Sequence, residues 1–116
     1  MERIVITDFS REAASRTRGL LLKERLEKAL EKGESIIVDF SGIKRFASPF
    51  FNNSFAALAF VYGFTAVEAI SLENISETGR QTYESSMENA KDIYQDEEMS
   101  ERIMEIVGNT PKKAGV

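Results

Sequence analysis

Cysteine and histidine are both missing from this 116-residue sequence. Their absence removes thiol nucleophiles, imidazole bases, disulfide staples, zinc sites of the usual ligand types and the serine-histidine-aspartate arrangement. Most common hydrolase and metalloenzyme chemistries are thereby excluded. A cationic excess is missing too, for the net charge is -4. Nonspecific binding to a phosphate backbone needs clustered Lys and Arg, so nucleic acid is not an expected partner. Long apolar runs are absent as well. The longest, Phe55 to Val61 (FAALAFV), falls far short of the ~20 residues that a membrane span requires. The start MERIVITDF lacks a cationic segment followed by an apolar signal core. The expectation is a cytoplasmic protein with no membrane contact. No segment is of low complexity, and the length suits one domain that buries roughly two thirds of its unfolded surface without staples.

What is present is concentrated between Ile36 and Phe51, in IIVDFSGIKRFASPFF. Ile36, Ile37, Val38 and Phe40 form a short continuous apolar run, which predicts a strand covered on both faces in a mostly parallel sheet. Asp39-Phe40-Ser41-Gly42 then turns the chain outward. Ser48-Pro49 signals a helix start, because Ser caps early helical amides and Pro tolerates the first helical position. Ligand and partner contacts gather at such strand-to-helix junctions.

The rest of the chain alternates between strand and helix patterns. Ile4-Val5-Ile6 predicts the first strand. Ser10 precedes a run of good helix formers from Glu12 or Ala13 to Lys32, with Leu22, Leu26, Ala29 and Leu30 on one face and Gly33 ending it. From Pro49 a second helix places Phe51, Phe55, Leu58, Ala59 and Tyr62 at helical spacing and ends at Gly63. Ala66 to Leu72 predicts a third strand, interrupted by Glu68 and suited to an edge. Ile75, Gly79, Tyr83, Met87, Ala90 and Tyr94 predict a third helix. Glu97 to Val107 predicts a fourth, with Asp96-Glu97-Glu98 favoured at its positive end. Gly108 to Val116 reads as a frayed tail. The expected organisation is a domain over residues 1-95, a C-terminal helix over 96-108 that packs on or extends it, and a flexible tail over 109-116. Parallel neighbours need crossover helices, so the fold class is α/β, in two or three layers.

Ser10-Arg11-Glu12 after a short strand, VDFSGI from Val38 to Ile43, Ser48-Pro49-Phe50-Phe51 and Ser54-Phe55-Ala56 resemble the STAS-like domain family of unknown function, over about residues 3 to 94. That family is similar to the STAS domains of bacterial anti-sigma-factor antagonists. The resemblance implies a small, mostly parallel sheet of three or more strands backed by three to four helices. The antagonists carry a strand ending in Asp-Leu-Ser and, a few residues later, Asp-Ser-Ser-Gly or Asp-Ser-Thr-Gly at a helix N-terminus, where a partner kinase phosphorylates one hydroxyl. Asp39-Phe40-Ser41 matches the first element, and Ser48 falls on the first hydroxyl of the second. Ala47, Pro49 and Phe50 replace the aspartate, the second hydroxyl and the glycine. The resemblance therefore implies a non-catalytic regulatory module, with Ser48 as the phosphorylation candidate and an anti-sigma factor or related kinase-type ATPase as partner.

The candidate partner-binding residues are Ser10, Arg11, Asp39, Lys44, Arg45, Phe46, Ser48, Phe50 and Asn52. Each has a plainer alternative. Ser48 and Ser10 suit helix caps, Asp39 suits a carboxylate accepting turn amides, and the phenylalanines suit a core. A phosphate on Ser48 would meet helix-start amides, with Lys44 and Arg45 close in sequence. Ser10 and Ser48 both follow carboxyl ends of strands, which places them on one edge of a parallel sheet. A small Mg²⁺-dependent nucleotide-binding or enzymatic domain using Asp39 is the competing reading, although no glycine-rich phosphate loop follows any strand. A structural assembly module acting through Met99, Ile103 and Ile106 is the third. No catalytic residue, cofactor or metal is predicted.

Overall fold

The β-branched runs give the first two strands. β1 covers Glu2–Val5, β2 Ile36–Asp39 and β3 Ser71–Glu73 in the computed structural model, which describes residues 1–107, with side chains through Asp96. They form one parallel sheet in the order β1-β2-β3. The register aligns Ile4, Val38 and Leu72 in one row and Val5, Asp39 and Glu73 in the next. Side chains alternate between faces along a strand. Ile4, Ile36 and Val38 are buried, whereas Arg3, Val5, Ile37, Asp39, Ser71 and Glu73 all stay at least partly exposed. Helices thus cover one face only. The expectation of a β2 enclosed on both faces is corrected: a four-residue strand of mixed Ile and Val does not reveal which of its faces is wetted.

β1 ends before Ile6, which is fully buried in a 3-10 turn over Ile6–Asp8. The amides of Phe9 and Ser10 both reach the Ile6 carbonyl, at 3.0 and 2.9 Å. The first helix, α1, covers Arg16–Glu31 and starts later than its composition predicts. Ser15, not Ser10, is its cap and accepts from the Arg18 amide at 3.2 Å. Glu12 lies ahead of the helix and ties the turn, accepting the Ala14 amide at 2.6 Å, the Ser15 amide at 2.9 Å and the Ser15 hydroxyl at 2.8 Å. Leu22, Leu26 and Ala29 are buried as their spacing predicts, and Gly33 leaves the helix at φ 71°.

A continuous helical run follows the junction: α2 over Ser48–Phe51, a wider π turn over Asn52–Ala56, and α3 over Ala57–Tyr62. Gly63 ends it at φ 96°. The π turn was not legible in the spacing, and its chemistry is local. The Ser54 hydroxyl and the Asn53 side-chain amide donate to the carbonyls of Phe50 and Pro49, each at 2.8 Å. These side chains compete for carbonyls that the ordinary i→i-4 ladder would use.

The third strand is shorter than expected. Phe64–Glu68 forms helix α4 instead, with Val67 buried and Glu68 paired to Lys91 at 2.6 Å. β3 is an edge strand, as expected, although the Glu68 that suggested it lies in α4. The two predicted C-terminal helices are one, α5, over Glu77–Val107. Glu is a good helix former, so the acidic run at 96-98 contains nothing that breaks it. Ser76 caps its start by accepting the Gly79 amide at 3.1 Å. The Met99, Ile103 and Ile106 side chains and the whole tail from Gly108 lie outside the described residues.

The core joins Ile4 and Val38 of the sheet to Leu22 and Leu26 of α1, the phenylalanine cluster, and Tyr83, Met87 and Ala90 of α5. Phe40, Phe50, Phe51 and Phe55 are fully buried. Phe60 lies outside this buried set and is 41% exposed. No helix among the described residues is long and apolar enough to cross a membrane.

Candidate functional site

The carboxyl ends of the strands gather three loops. The central one begins at Asp39, the last residue of β2. One oxygen of its carboxylate accepts from the Ser41 amide at 2.9 Å, the Ser41 hydroxyl at 2.7 Å and Asn74 Nδ2 at 3.0 Å. The Ser41 hydroxyl, followed by Asn74 and the Ser41 amide, pulls its pKa down to about 2, against a small opposing effect of burial; Arg3 adds a little more from 3.9 Å. Arg3 itself is held mainly by Glu73, at 2.6 Å. Asp39 is thus a brace between the β2 and β3 ends. It fits the plainer alternative, a carboxylate accepting turn donors.

The chain then turns through Phe40-Ser41-Gly42-Ile43, closed by the Ile43 amide on the Phe40 carbonyl at 3.0 Å. Gly42 sits third in this turn at φ 82°, where a side chain would be strained. Ile43 is buried, which leaves Lys44 and Arg45 outside. Phe46 folds back inward, 6.1 Å from Phe40 and 6.4 Å from Phe51 between ring centres. Its ring lies over Gly79, where a Cβ would meet it at 2.6 Å.

The loop ahead of α1 is stitched to this segment. Ala13 and Phe46 form a parallel bridge, in which the Ala13 amide donates to Arg45 at 2.9 Å and the Ala47 amide donates to Ala13 at 3.1 Å. The loop that carries Ser10 and the segment that leads to Ser48 are therefore joined by backbone hydrogen bonds at Ala13. Ser10 is 5% exposed and bonds internally to Glu12, accepting its amide at 3.1 Å and donating to its carbonyl at 2.6 Å. Burial acts to raise the Glu12 pKa, but the Ser15 and Ala14 amides outweigh it and leave the carboxyl below its ordinary value.

Ser48 occupies the first helical position, and Ala47 takes the cap position with no side-chain bond to offer. The cap reading of Ser48 is thereby corrected. Its side chain is exposed, at the start of a helical run from 48 to 62. Arg11, Lys44 and Arg45 are exposed around the same bridge, and the ion pairs among the described residues lie elsewhere. An exposed hydroxyl and three exposed cations, unpaired among the described residues, thus lie on the two segments that the Ala13–Phe46 bridge joins, in a protein of net negative charge.

Phe50 and Phe46 turn inward, whereas Asn52 is exposed but tied to α5. Phe50 is fully buried, with its ring edge-on to Phe51 at 5.2 Å, so it is removed from the contact surface. Phe46 is packed between Phe40, Phe51 and Gly79. Asn52 faces α5 and accepts from the nearly buried Ser86 hydroxyl at 2.5 Å. The sequence reasoning missed Ser15 as cap, Ala13 as bridge and Gly19, where a Cβ would meet the Phe50 carbonyl. Ser15 carries the same capping chemistry as Ser10, and the bridge at Ala13 has no local signal.

A three-stranded parallel sheet with helices on one face, and a polar strand-to-helix junction at its carboxyl edge, define a small two-layer α/β module. The model for the STAS-like domain of unknown function (DUF4325) matches residues 19–80, and the chain belongs to that family. The match contains α1 from Gly19, β2, the junction, Ser48, β3 and the first turn of α5, and is narrower than the resemblance over about residues 3 to 94. No curated protein and no solved structure matches the chain.

Proposed function

We propose that this protein is a non-catalytic binding module, which docks on a regulatory kinase-type ATPase through the edge around Ser48, as anti-sigma-factor antagonists do. The observation that carries the reading is Ser48 itself. It is exposed, carries no capping duty, and follows exposed Lys44 and Arg45 in a segment that the Ala13–Phe46 bridge joins to the loop carrying Arg11. A surface hydroxyl held at a helix start by a rigid turn is accessible to a partner's nucleotide. In that reaction the Ser48 oxygen takes the γ-phosphoryl group of the partner's ATP, releasing ADP and a proton. The dianion so formed meets helix-start amides and the nearby cations, each a charge-assisted contact. Added charge at the centre of the contact surface switches the partner off by changing what that surface complements. Asp39 is spent on Ser41 and Asn74, which takes support from the Mg²⁺-nucleotide alternative.

The test is quantitative affinity capture from the source organism with the wild-type chain, Ser48→Asp and Lys44→Glu/Arg45→Glu as baits. Mass spectrometry reads the captured proteins and the state of Ser48. The expected result is an ATPase held by the wild-type chain and lost by both variants, with melting temperatures unchanged. Equal recovery by all three baits sinks the proposal.

A further inference from the structure

A second surface lies along the helical run, away from the strand ends. The π turn and α3 on one side and α5 on the other leave a groove of about 570 Å³. Small residues make its floor: Ala56, Ala90 and Ser86 are each under 5% exposed, and Asn52 satisfies the Ser86 hydroxyl. Its rim is apolar and open. Phe60 is 41% and Ile93 53% exposed, and Tyr94, at 42%, lies 6.2 Å from Phe60 between ring centres. In a protein whose other phenylalanines are mostly sealed, this is a contiguous apolar patch of the kind that marks an interaction site.

The charge beside it has one sign. Asp92 lines the groove, and Glu84, Glu88, Asp92 and Asp96 follow one another every four residues along α5, all exposed. None takes part in an ion pair among the described residues, and the neighbouring Lys91 is occupied by Glu68. Like charges at this spacing destabilise their own helix. A cationic occupant relieves that repulsion, whereas a second copy docking face to face would bring two such ridges together.

We propose that this groove receives an amphipathic helix of a partner protein, apolar on the inserted face and rich in Lys or Arg on the other. Two helices form its walls, so inserted side chains at i, i+3, i+4 and i+7 find holes between the ridges. The volume falls within the ordinary range for a ligand-binding cleft, about 300–1,000 Å³. The proposal is independent of Ser48, and its test leaves that residue untouched.

The probe is a fluorescein-labelled synthetic helix of about 16 residues, long enough to span roughly four turns. Leu is placed at helical spacing and Lys elsewhere. Two controls accompany it: the same composition scrambled, and Glu in place of Lys. Anisotropy is measured with the full chain, Phe60→Ser and Ile93→Ser; the second variant guards against loss of fold in the first, and circular dichroism checks both. The proposal expects binding of the basic helix, weakened about tenfold or more by each folded variant and by scrambling, which is a hot-spot effect of at least 1.4 kcal/mol. Binding that ignores the variants or the scrambling overturns it. So does a concentration-dependent dimer broken by the same variants, which assigns the groove to a second copy. A gain in affinity on deleting residues 108-116 also overturns it, by making the chain's own tail the occupant.

Discussion

Gly19 lies against the carbonyl of Phe50, so closely that a Cβ at position 19 would stand 2.5 Å from that oxygen. Here α1 crosses the helical run that begins at Ser48, and the contact sets how near the two helices approach. The same carbonyl accepts the Ser54 hydroxyl at 2.8 Å, so it cannot turn aside without breaking that bond.

Gly19→Ala should therefore destabilise the protein. A glycine-to-alanine change inside a helix ordinarily gains up to about 1 kcal/mol. Overpacking against fixed backbone costs about 1–3 kcal/mol, and the second effect wins because the obstacle is a carbonyl and not a flexible side-chain end. The expected outcome is a lower urea midpoint with an unchanged slope. A raised midpoint would mean that the helices separate freely at this crossing.

Two serines at helix starts should behave oppositely. Ser15 caps α1 through the Arg18 amide and is itself tied to Glu12, so Ser15→Ala should cost about 1 kcal/mol or somewhat more. Ser48 has no such bond. Ser48→Ala should stay within about 0.5 kcal/mol of the wild type, as surface changes usually do. Paired chemical denaturation curves check both, and equal losses would return Ser48 to the role of a cap.

The contrast between these serines also marks how far the sequence can be read. Periodicity is a property of neighbouring residues, so the buried face of α1 and the helical run ending at Gly63 were legible. The parallel α/β class followed from the alternation of patterns. Ser15 was overlooked because Ser10 offers the same chemistry five residues earlier, and only the 3-10 turn at Ile6 decides between them. The Ala13 bridge joins segments more than thirty residues apart by backbone alone, and no side-chain type announces it. At the candidate site, Lys44, Arg45 and Ser48 were legible as exposed polar residues. Phe50 was read both as a contact candidate and as core, and its burial decides for the core.

Asp39 gives a pH signature. Its pKa falls from 3.8 to about 2 in the folded protein. A depressed carboxyl contributes stability that is complete above the unfolded pKa and is lost as pH falls toward the folded one. Between about pH 4 and pH 2 the wild-type chain should lose stability more steeply than Asp39→Asn, which has no charge to neutralise. Thermal melts across that window read the difference. Parallel acid limbs would show that the bonds from Ser41 and Asn74 are not kept in solution.

Tyr83 supplies the alkaline counterpart and tests the docking of α5. Its ring meets Phe51 and Phe55 edge-on at 5.8 and 5.2 Å. Burial first, and then the Glu68 carboxylate, push its pKa from 10.0 to about 12. A raised folded pKa favours the neutral phenol, so its contribution to stability is present below the unfolded value and is lost as pH rises through the folded one. An ultraviolet titration of tyrosinate should show a late step that Tyr83→Phe removes, because the substitution keeps the ring contacts and deletes only the ionising group. If every tyrosine ionises at the ordinary value while the protein remains folded, the first turns of α5 do not lie on Phe51 and Phe55. The groove beside Phe60 would then lose one of its walls.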